Sequence, residues 1–549
     1  MTDMDMLRTD VLIIGGGAAA LAAAWSAAES GADVILMDAG RPGRSGSSAT
    51  AGGGTAAAFG HTCLGEPGND DTPDIHYEDT LSEGRGINDP KLVRVLADEI
   101  VPLVRRLTDS GVPYVQTGEG LYYQNRGVGQ SRPRNCTPRG NSVVLCEWLL
   151  KSAVYRGAVC LNRTRAISLL TDEGRVVGAL AMRTETGKKI CISAGSVILA
   201  AGSATALMPY ASAAFPTWGD SFRLAWEAGA ELANMEFLEF TFAPMNGSHV
   251  MAIGGSTQLV SRGARFINKE GFPFLENDPT LGPHPTRAVL VPAFFREIKA
   301  GRGPILLECS SIAPNRWKEW ESIGHPLIQL LTSLYGPYYQ NETLAFTPAL
   351  HCVLGGIVVD EWCKSSIPGL FAAGEAATGI HGAARLGGNA IAECLVFGSR
   401  AGTAAAQNAS AGRIERRQLS EVLTSLEGES DVLSLENSLC QLRRTAWEKL
   451  GVIRNASELQ QAVEAFARAG EQAQAYRAQS PDGLGKLLTL RGLALTAHLV
   501  AQAALERAES RGCHIRSDVS AEESALSETS WRCNLVFNRD AGMFVRGQG

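Results

Sequence analysis

The sequence predicts an α/β chain, α+β over its whole length: a parallel βαβ unit opens the fold, an insertion interrupts it, and a helical domain follows. Three observations predict this. Residues 11–14 form an apolar run that stops at Gly15-Gly16-Gly17, an alanine-rich stretch continues to about Ser30, and a second apolar run occupies 32–37. Between 239 and 349 prolines are frequent and strand patterns fade. From 418 to 511 the pattern is helical with few glycines.

Bulk properties narrow the class. The chain has 549 residues, enough for several packed units, and 45% hydrophobic with 19% charged residues is ordinary for a globular enzyme. The formal net charge is −7 with no basic stripe, so nucleic acid is not an expected partner. The 12 cysteines include no CxxC pair, so no metal site is expected. No secretory signal is recognisable and no apolar run reads as long enough to span a bilayer, so a reducing cytoplasmic location is expected.

The elements follow in order. The first strand ends at Gly15-x-Gly17-x-x-Ala20. Glycines there permit a tight turn and bring helix N-terminal amides, Ala18 included, close to a pyrophosphate, where the helix dipole favours negative charge. Asp38 ends the second strand, placed to accept hydrogen bonds from ribose hydroxyls, which completes a Rossmann-like signature. The loop at 45–54, SGSSATAGGG, offers amides to a ring or a phosphate, or else is a flexible linker. Runs between 158 and 193 suit a β-meander, and 195–201 reads as a buried strand ending at Gly202. After the insertion, strands return at 355–359 and 369–374. Glu375 then supplies a carboxylate for ribityl or ribose hydroxyls. Asn389-Ala390-Ile391 opens a helix to about 405 whose N-terminus can face an electron-rich ring edge. The tail beyond 512 is polar, with one strand-like piece at 533–537. The division expected is 1–238, 239–349 (the insertion), 350–412, 413–512 and 513–549.

Longer motifs carry a resemblance. GGGAAAL, GDSFRLAWEAGAELANMEF at 219–237, LHCVLGGIVVD at 350–360, GLFAAGEAATGIHGAARLGGNAIAECLVFG at 369–398 and AESRGCHIRSD at 508–518 stand in order along the chain. Together they resemble the fumarate reductase, succinate dehydrogenase flavoprotein and L-aspartate oxidase family, with a length closest to L-aspartate oxidase. The resemblance implies a Rossmann-like FAD-binding domain interrupted by a capping domain, then a helical domain. It implies FAD contacts at Gly15, Gly17, Ala18, Asp38, Ser47, Ser48, Ala51, Gly53, Gly54, Asp220, Glu375, Asn389, Ala390 and Ile391. Respiratory members attach the flavin through a histidine where Ser47 stands, and no histidine precedes Gly60, so the FAD is expected to be non-covalent.

The resemblance also implies a substrate site. Arg287 matches the family's acid/base arginine, and His351 and Arg385 match its substrate-carboxylate ligands; a bidentate arginine is the natural partner for a carboxylate. The departures are informative. "EFxQFHPT" is here EFLEFTF, with Thr241 for the substrate-binding histidine and Glu239 for a neutral glutamine. The acid of "TExxRGEGG" becomes Gln258. "REGGHS", whose glutamate meets the substrate amine in aspartate oxidases, reads Arg126-Gly127-Val128-Gly129-Gln130-Ser131, and "HGANR" has Ala384 in place of asparagine. A second substrate carboxylate beside Glu239 would meet like charge. The expected substrate therefore has one carboxylate on Arg287, His351 and Arg385, and a cationic or neutral polar group, such as an amine, near Glu239.

The expected function is an FAD-dependent oxidase or dehydrogenase that moves a hydride between a small carboxylate (amino-acid-like or dicarboxylate) and flavin N5. O2, fumarate or quinone would be the electron acceptor, and an oligomer is compatible with the sequence. The alternative is the flavoprotein subunit of a succinate dehydrogenase or fumarate reductase-type electron-transfer complex.

Overall fold

The apolar runs of the opening strands are continuous because both of their faces are covered. In the computed structural model, which describes residues 4–547 apart from 53, 61–69, 118, 214–216, 248, 252–257, 262, 277–285, 323–325, 411, 427, 429–431 and 528, alternate residues serve two cores. Val11, Ile13, Leu36 and Ile198 join one apolar cluster, while Leu12, Ile14, Ile35 and Leu199 join the other. The strands Val159–Leu161, Val34–Met37, Asp5–Ile14 and Lys189–Leu199 lie side by side in parallel, and the meander strands Arg175–Arg183 and Thr164–Asp172 extend them to a seven-stranded sheet with Leu370–Ala372.

Lys189–Leu199 is one strand where two separate runs were expected. It changes partner along its length, pairing antiparallel with the meander at 189–193 and parallel with Leu370–Ala372 at 197–199. Gly195 marks the changeover, where an added Cβ would lie 2.9 Å from that of Ala409.

The alanine-rich first helix, Ala18–Glu29, is a packing surface. Against it lies the helix Asn389–Gln407, so close that a Cβ on Gly398 would sit 2.5 Å from the Ala19 carbonyl and one on Gly402 2.2 Å from that of Ala23. This crossing brings the two helix N-termini that flank the cleft into a fixed relation.

The insertion carries its own five-stranded sheet, ordered His249–Val250, Leu238–Asn246, Thr343–Val353, Ile305–Glu308 and Arg265–Ile267. Pro244 and Pro348 lie inside two of these strands, which is why the segment did not read as sheet. Its core is aromatic, with Phe242 stacked on Phe294 at 4.5 Å and edge-on to Phe266 and Phe346. The strand Thr343–Val353 runs through position 350, so the cap sheet itself delivers His351.

Among the described residues the helices Arg416–Thr424, Val432–Leu450, Ala456–Ala475 and Pro481–Glu506 follow, with the short Ala521–Ser527 in the tail. Contrary to expectation, Pro481–Glu506 is long and apolar enough to cross a membrane, but 78% of its apolar window is buried within the fold, as in a core helix. The tail forms a hairpin, Cys533–Asn538 with Gly542–Gly547, added to Leu232–Ala233 and Gly356–Ile357. Its second strand is mostly exposed and so lacks an alternating apolar signal. The segment 507–518 acts as a latch, with Arg454 beside it. Arg507 Nε pairs with Glu236 at 2.6 Å, both side chains fully buried; Arg454 donates to the Glu236 carbonyl at 2.7 Å; and the Cys513 amide donates to the Ala383 carbonyl at 2.9 Å.

Helix contact predicts opposite outcomes at two helical glycines. Gly402→Val forces a branched side chain into the Ala23 backbone and is expected to lower unfolding free energy by about 2 kcal/mol. Gly470→Ala, where an added Cβ meets nothing within 4 Å, is expected to raise it by roughly 0.5–1 kcal/mol. Urea denaturation of the two variants checks both signs.

Candidate functional site

Three consecutive glycines shape the mouth of the cleft. Gly15 has φ +131°, and a Cβ there would lie 2.2 Å from the Ala200 carbonyl oxygen. At Gly16 it would lie 2.7 Å from Asp38 Cγ, and at Gly17 3.2 Å from Ser48 Oγ. The sequence motif singled out Gly15 and Gly17; the need for Gly16 comes from the Asp38 side chain. Ala18, first in its helix, donates its amide to Ser48 Oγ at 3.1 Å. Asp38 closes this end of the cleft; burial pushes its carboxyl up, against a hydrogen bond from Ser45.

Gly15, Gly17, Ala18, Asp38, Ser47, Ser48, Asp220 and Glu375 line one cavity. Ser47, Ser48, Glu375 and Cys394 also line a second, which continues past Ala51, Ala390 and Ile391 to His351 and Arg385. The result is an elongated site with backbone amides at both ends. Glu375 receives the Ser203 amide at 3.3 Å and the Ser203 hydroxyl, while burial pushes its carboxyl up. Asp220 lies on the wall, but both its oxygens are paired with Arg165, at 2.9 and 3.0 Å. Asn389 does not face the cavity: its side chain bonds His76 at 2.8 Å and Thr80 at 3.0 Å and anchors the start of its helix. That leaves the Ala390 and Ile391 amides in a first turn without intrahelical partners. A Cβ at Gly54 would lie 3.6 Å from the Asn135 side-chain nitrogen, and Gly53 lies outside the described residues. A glycine cradle that any Cβ would close, a half-buried acid at each of two strand ends and paired helix N-termini fit a dinucleotide such as FAD.

The organic-acid end is built on a β-bulge. Glu239 pairs across the cap sheet with Cys352 and Phe240 with Leu350, so His351 is the extra residue and is re-aimed by the bulge. His351 Nδ1 lies 2.7 Å from Ser212 Oγ. Glu239, 2% exposed, accepts from Arg287 Nη1 and from the Arg385 amide at 3.2 Å, and forms an ion pair with Arg385 Nη2 at 2.9 Å. Arg287 is the first residue of the cap helix Arg287–Lys299. Arg385 sits on a strap held at Ala383 by the Gly84 carbonyl (2.9 Å) and at Gly387 by the Val128 carbonyl (2.9 Å). The 126–131 loop is thus a buttress. Gln130 bridges Gly127 and the Gly387 carbonyl, and a Cβ at Gly127 would meet Asn135 at 2.5 Å.

Electrostatics follow from these contacts. Burial pushes the Glu239 carboxyl up, but the Arg287 and Arg385 guanidiniums overcome it and hold the group at about 2. Burial and the same two cations push His351 down to about 3, so its imidazole is neutral near pH 7. Among these four side chains, two cations, one anion and a neutral ring leave a single surplus positive charge. The expectation that Glu239 meets a substrate cation is therefore not what the geometry offers, because its carboxylate is already neutralised from two sides. Thr241, two positions along the strand and opposite Ala349, lines neither cavity. Gln258 opens the short helix Gln258–Ser261; Thr257 and Arg262 lie outside the described residues.

Two neighbours were not anticipated. Ser212 orients His351 and sits in no motif. Glu83, at the end of helix Pro73–Glu83, is buried beside Glu239 and Arg287. An acid at a helix C-terminus opposes the helix dipole, and that misfit was its one signal in the sequence.

Comparison with known proteins agrees with this geometry. A family model described as an FAD binding domain matches residues 10–391, and one described as the fumarate reductase flavoprotein C-terminal domain matches 440–542. One subunit of the fumarate reductase (CoM/CoB) of Methanothermobacter marburgensis is 31% identical, covering 98% of each chain. L-Aspartate oxidase of Streptomyces coelicolor is 29% identical over 96% of this chain and 91% of its own. Among solved structures, a Mycobacterium smegmatis Sdh1 complex with UQ1 superposes with a TM-score of 0.84 at 26% identity, covering 100% of this chain and 95% of that one. An E. coli quinol fumarate reductase FrdA variant gives 0.86 at 24% identity, covering 99% and 97%, a likeness of fold.

The pairing of Glu239 has a measurable consequence. Its folded value lies below the usual 4.5, so its stabilisation is complete above that pH and lost as the pH falls through about 2. Glu239→Gln is expected to lose about 3 kcal/mol at neutral pH and to show a shallower acid dependence. Urea denaturation at a series of pH values reads both; equal stability of variant and wild type would contradict it.

Proposed function

The chain belongs to the fumarate reductase and L-aspartate oxidase family of FAD-dependent oxidoreductases, and from that premise we propose that it moves a hydride to or from a small organic acid presenting a single carboxylate. The observation that carries this is Glu239 held between Arg287 and Arg385. A dicarboxylate would bring two negative charges to a site with one surplus positive charge, which is costly at low dielectric. A monocarboxylate with a neutral polar far end matches the charge.

FAD supplies the two-electron hydride chemistry when bound. The residues that would hold it are the Gly15–Ala18 turn at the pyrophosphate, Asp38 and Glu375 at the hydroxyls, and the Ala390 and Ile391 amides at the ring, where the helix dipole favours negative charge. The chain's own work is positioning. Arg385 and Arg287 each keep donors free of Glu239 to grip the substrate carboxylate, and His351, tied through Nδ1 to Ser212, keeps Nε2 for the same anion. Because Glu239 fixes both guanidiniums before substrate arrives, little ordering remains to be done on binding. Arg287, nearest the cap, holds the proton that accompanies the hydride. With Ser47 at the loop where a histidyl link would form, the flavin is held without a covalent bond.

A second reading has one observation behind it. The Methanothermobacter relative is one subunit of its enzyme, and it matches the chain end to end, which suits a flavoprotein that passes electrons to a partner chain. Co-purification with an iron–sulfur protein would favour that reading; a lone yellow protein making peroxide would favour the free-standing one.

Two outcomes are expected. Acid precipitation leaves the flavin in the supernatant, and flavin retained in the pellet would contradict a non-covalent FAD. Chemically reduced enzyme mixed anaerobically with fumarate or crotonate, and oxidised enzyme mixed with succinate or butyrate, report preference through flavin absorbance. The one-carboxylate member of each matched pair should bind at least roughly tenfold more tightly. Equal or tighter binding of the dicarboxylate would overturn the charge argument.

A further inference from the structure

Adding or removing a hydride at carbon moves a proton too, and that proton must reach solvent. The groups around Arg287 differ in fitness to carry it. Glu239 is fixed as an anion by two guanidiniums, and burial pushes the Cys352 thiol well up. His351 is held by Ser212 on the other side of the cluster. Glu83 is different. It is 9% exposed, and its carboxyl makes no hydrogen bond or ion pair among the described residues. It shares with Arg287 and Glu239 a cavity otherwise walled by apolar side chains such as Leu238, Val291 and Val452. Its place is rigid. The Gly84 carbonyl receives the Ala383 amide at 2.9 Å, the Gly379 carbonyl receives the Asp89 amide at 2.7 Å, and Asn88 Nδ2 donates to the Ile380 carbonyl at 2.6 Å. The end of the Glu83 helix is thereby stapled to the strap that carries Arg385.

We propose that Glu83 is the group through which Arg287 exchanges its proton with solvent, a positioning residue for the proton and not a contact of the substrate. This rests on the organic-acid reading above. In the reducing direction an Nη–H bond of Arg287 breaks as the substrate carbon takes the proton. The O–H bond of the Glu83 carboxyl then breaks as the guanidine is reprotonated, and water returns a proton to the Glu83 carboxylate. Oxidation runs the same transfers backwards, and neither side chain changes redox state. The setting suits this role. Burial pushes the Glu83 carboxyl up to about 7, Glu239 and Asp79 push the same way, and Arg85 and Arg287 oppose them. A carboxyl titrating near neutrality passes protons in both directions.

The test compares holoenzyme with Glu83→Gln and Glu83→Asp. Difference infrared spectroscopy follows the protonated-carboxyl band from about pH 5 to about pH 9, and turnover is followed with reduced viologen and whichever of crotonate or fumarate the wild type reduces faster. The wild type should lose a carboxyl band near about 7 and show a rate inflection there. Glu83→Gln should lack both and turn over roughly a hundredfold more slowly at unchanged KM, whereas Glu83→Asp should keep the inflection. Flavin absorbance and circular dichroism establish that each variant is folded. A folded Glu83→Gln with wild-type rate and inflection would overturn the proposal, as would a wild-type band that does not titrate. The infrared arm needs no substrate, so a silent Glu83 is told apart from a wrong substrate class.

Discussion

A carboxylate buried between two guanidiniums organises the reactive end of this protein. Glu239 touches Arg287 and Arg385 at once, and removing one member of such a buried set is costly because the others are left uncompensated. The pairing fixes two arginines from different parts of the fold, one on a cap helix and one on the strap before the second FAD-facing helix. It also subtracts a charge, so the site enters the reaction with its cations half neutralised. Both the geometry and the proposed preference for one carboxylate descend from that contact.

The rest of the fold holds that contact in register. The bulge at His351 lets the cap sheet present an imidazole and a glutamate to the same space. Beneath the strap, the Arg507–Glu236 pair and the Cys513–Ala383 bond tie the C-terminal segment to the floor of the site. The small-residue crossing of Ala18–Glu29 with Asn389–Gln407 sets the distance between the amides that would meet the pyrophosphate and those that would meet the ring. Few of these contacts involve substrate, yet each constrains where the two arginines can be.

Legibility followed chemistry that is local in the chain. The Gly15–Gly17 turn, Asp38, Glu375 and the helix from Asn389 were readable because a strand, a turn and a helix start leave marks within a few residues. Arg287, His351 and Arg385 were readable through resemblance of motif, not through spacing. The partnership of Glu239 was not: its identity was plain, but nothing in the chain says that an acid at 239 will meet arginines at 287 and 385 before any substrate does. Asn389 and Asp220 show the converse, residues in the right motif whose side chains are engaged by His76 and Arg165. The cap sheet was hidden by Pro244 and Pro348, and the tail hairpin by an exposed second strand.

The most direct test is a crystal structure of the FAD-loaded protein with crotonate bound. The predicted result is one carboxylate gripped by Arg287, Arg385 and His351, with Glu239 still paired to both arginines. Glu239 displaced from the arginines, with the ligand in its place, would contradict it.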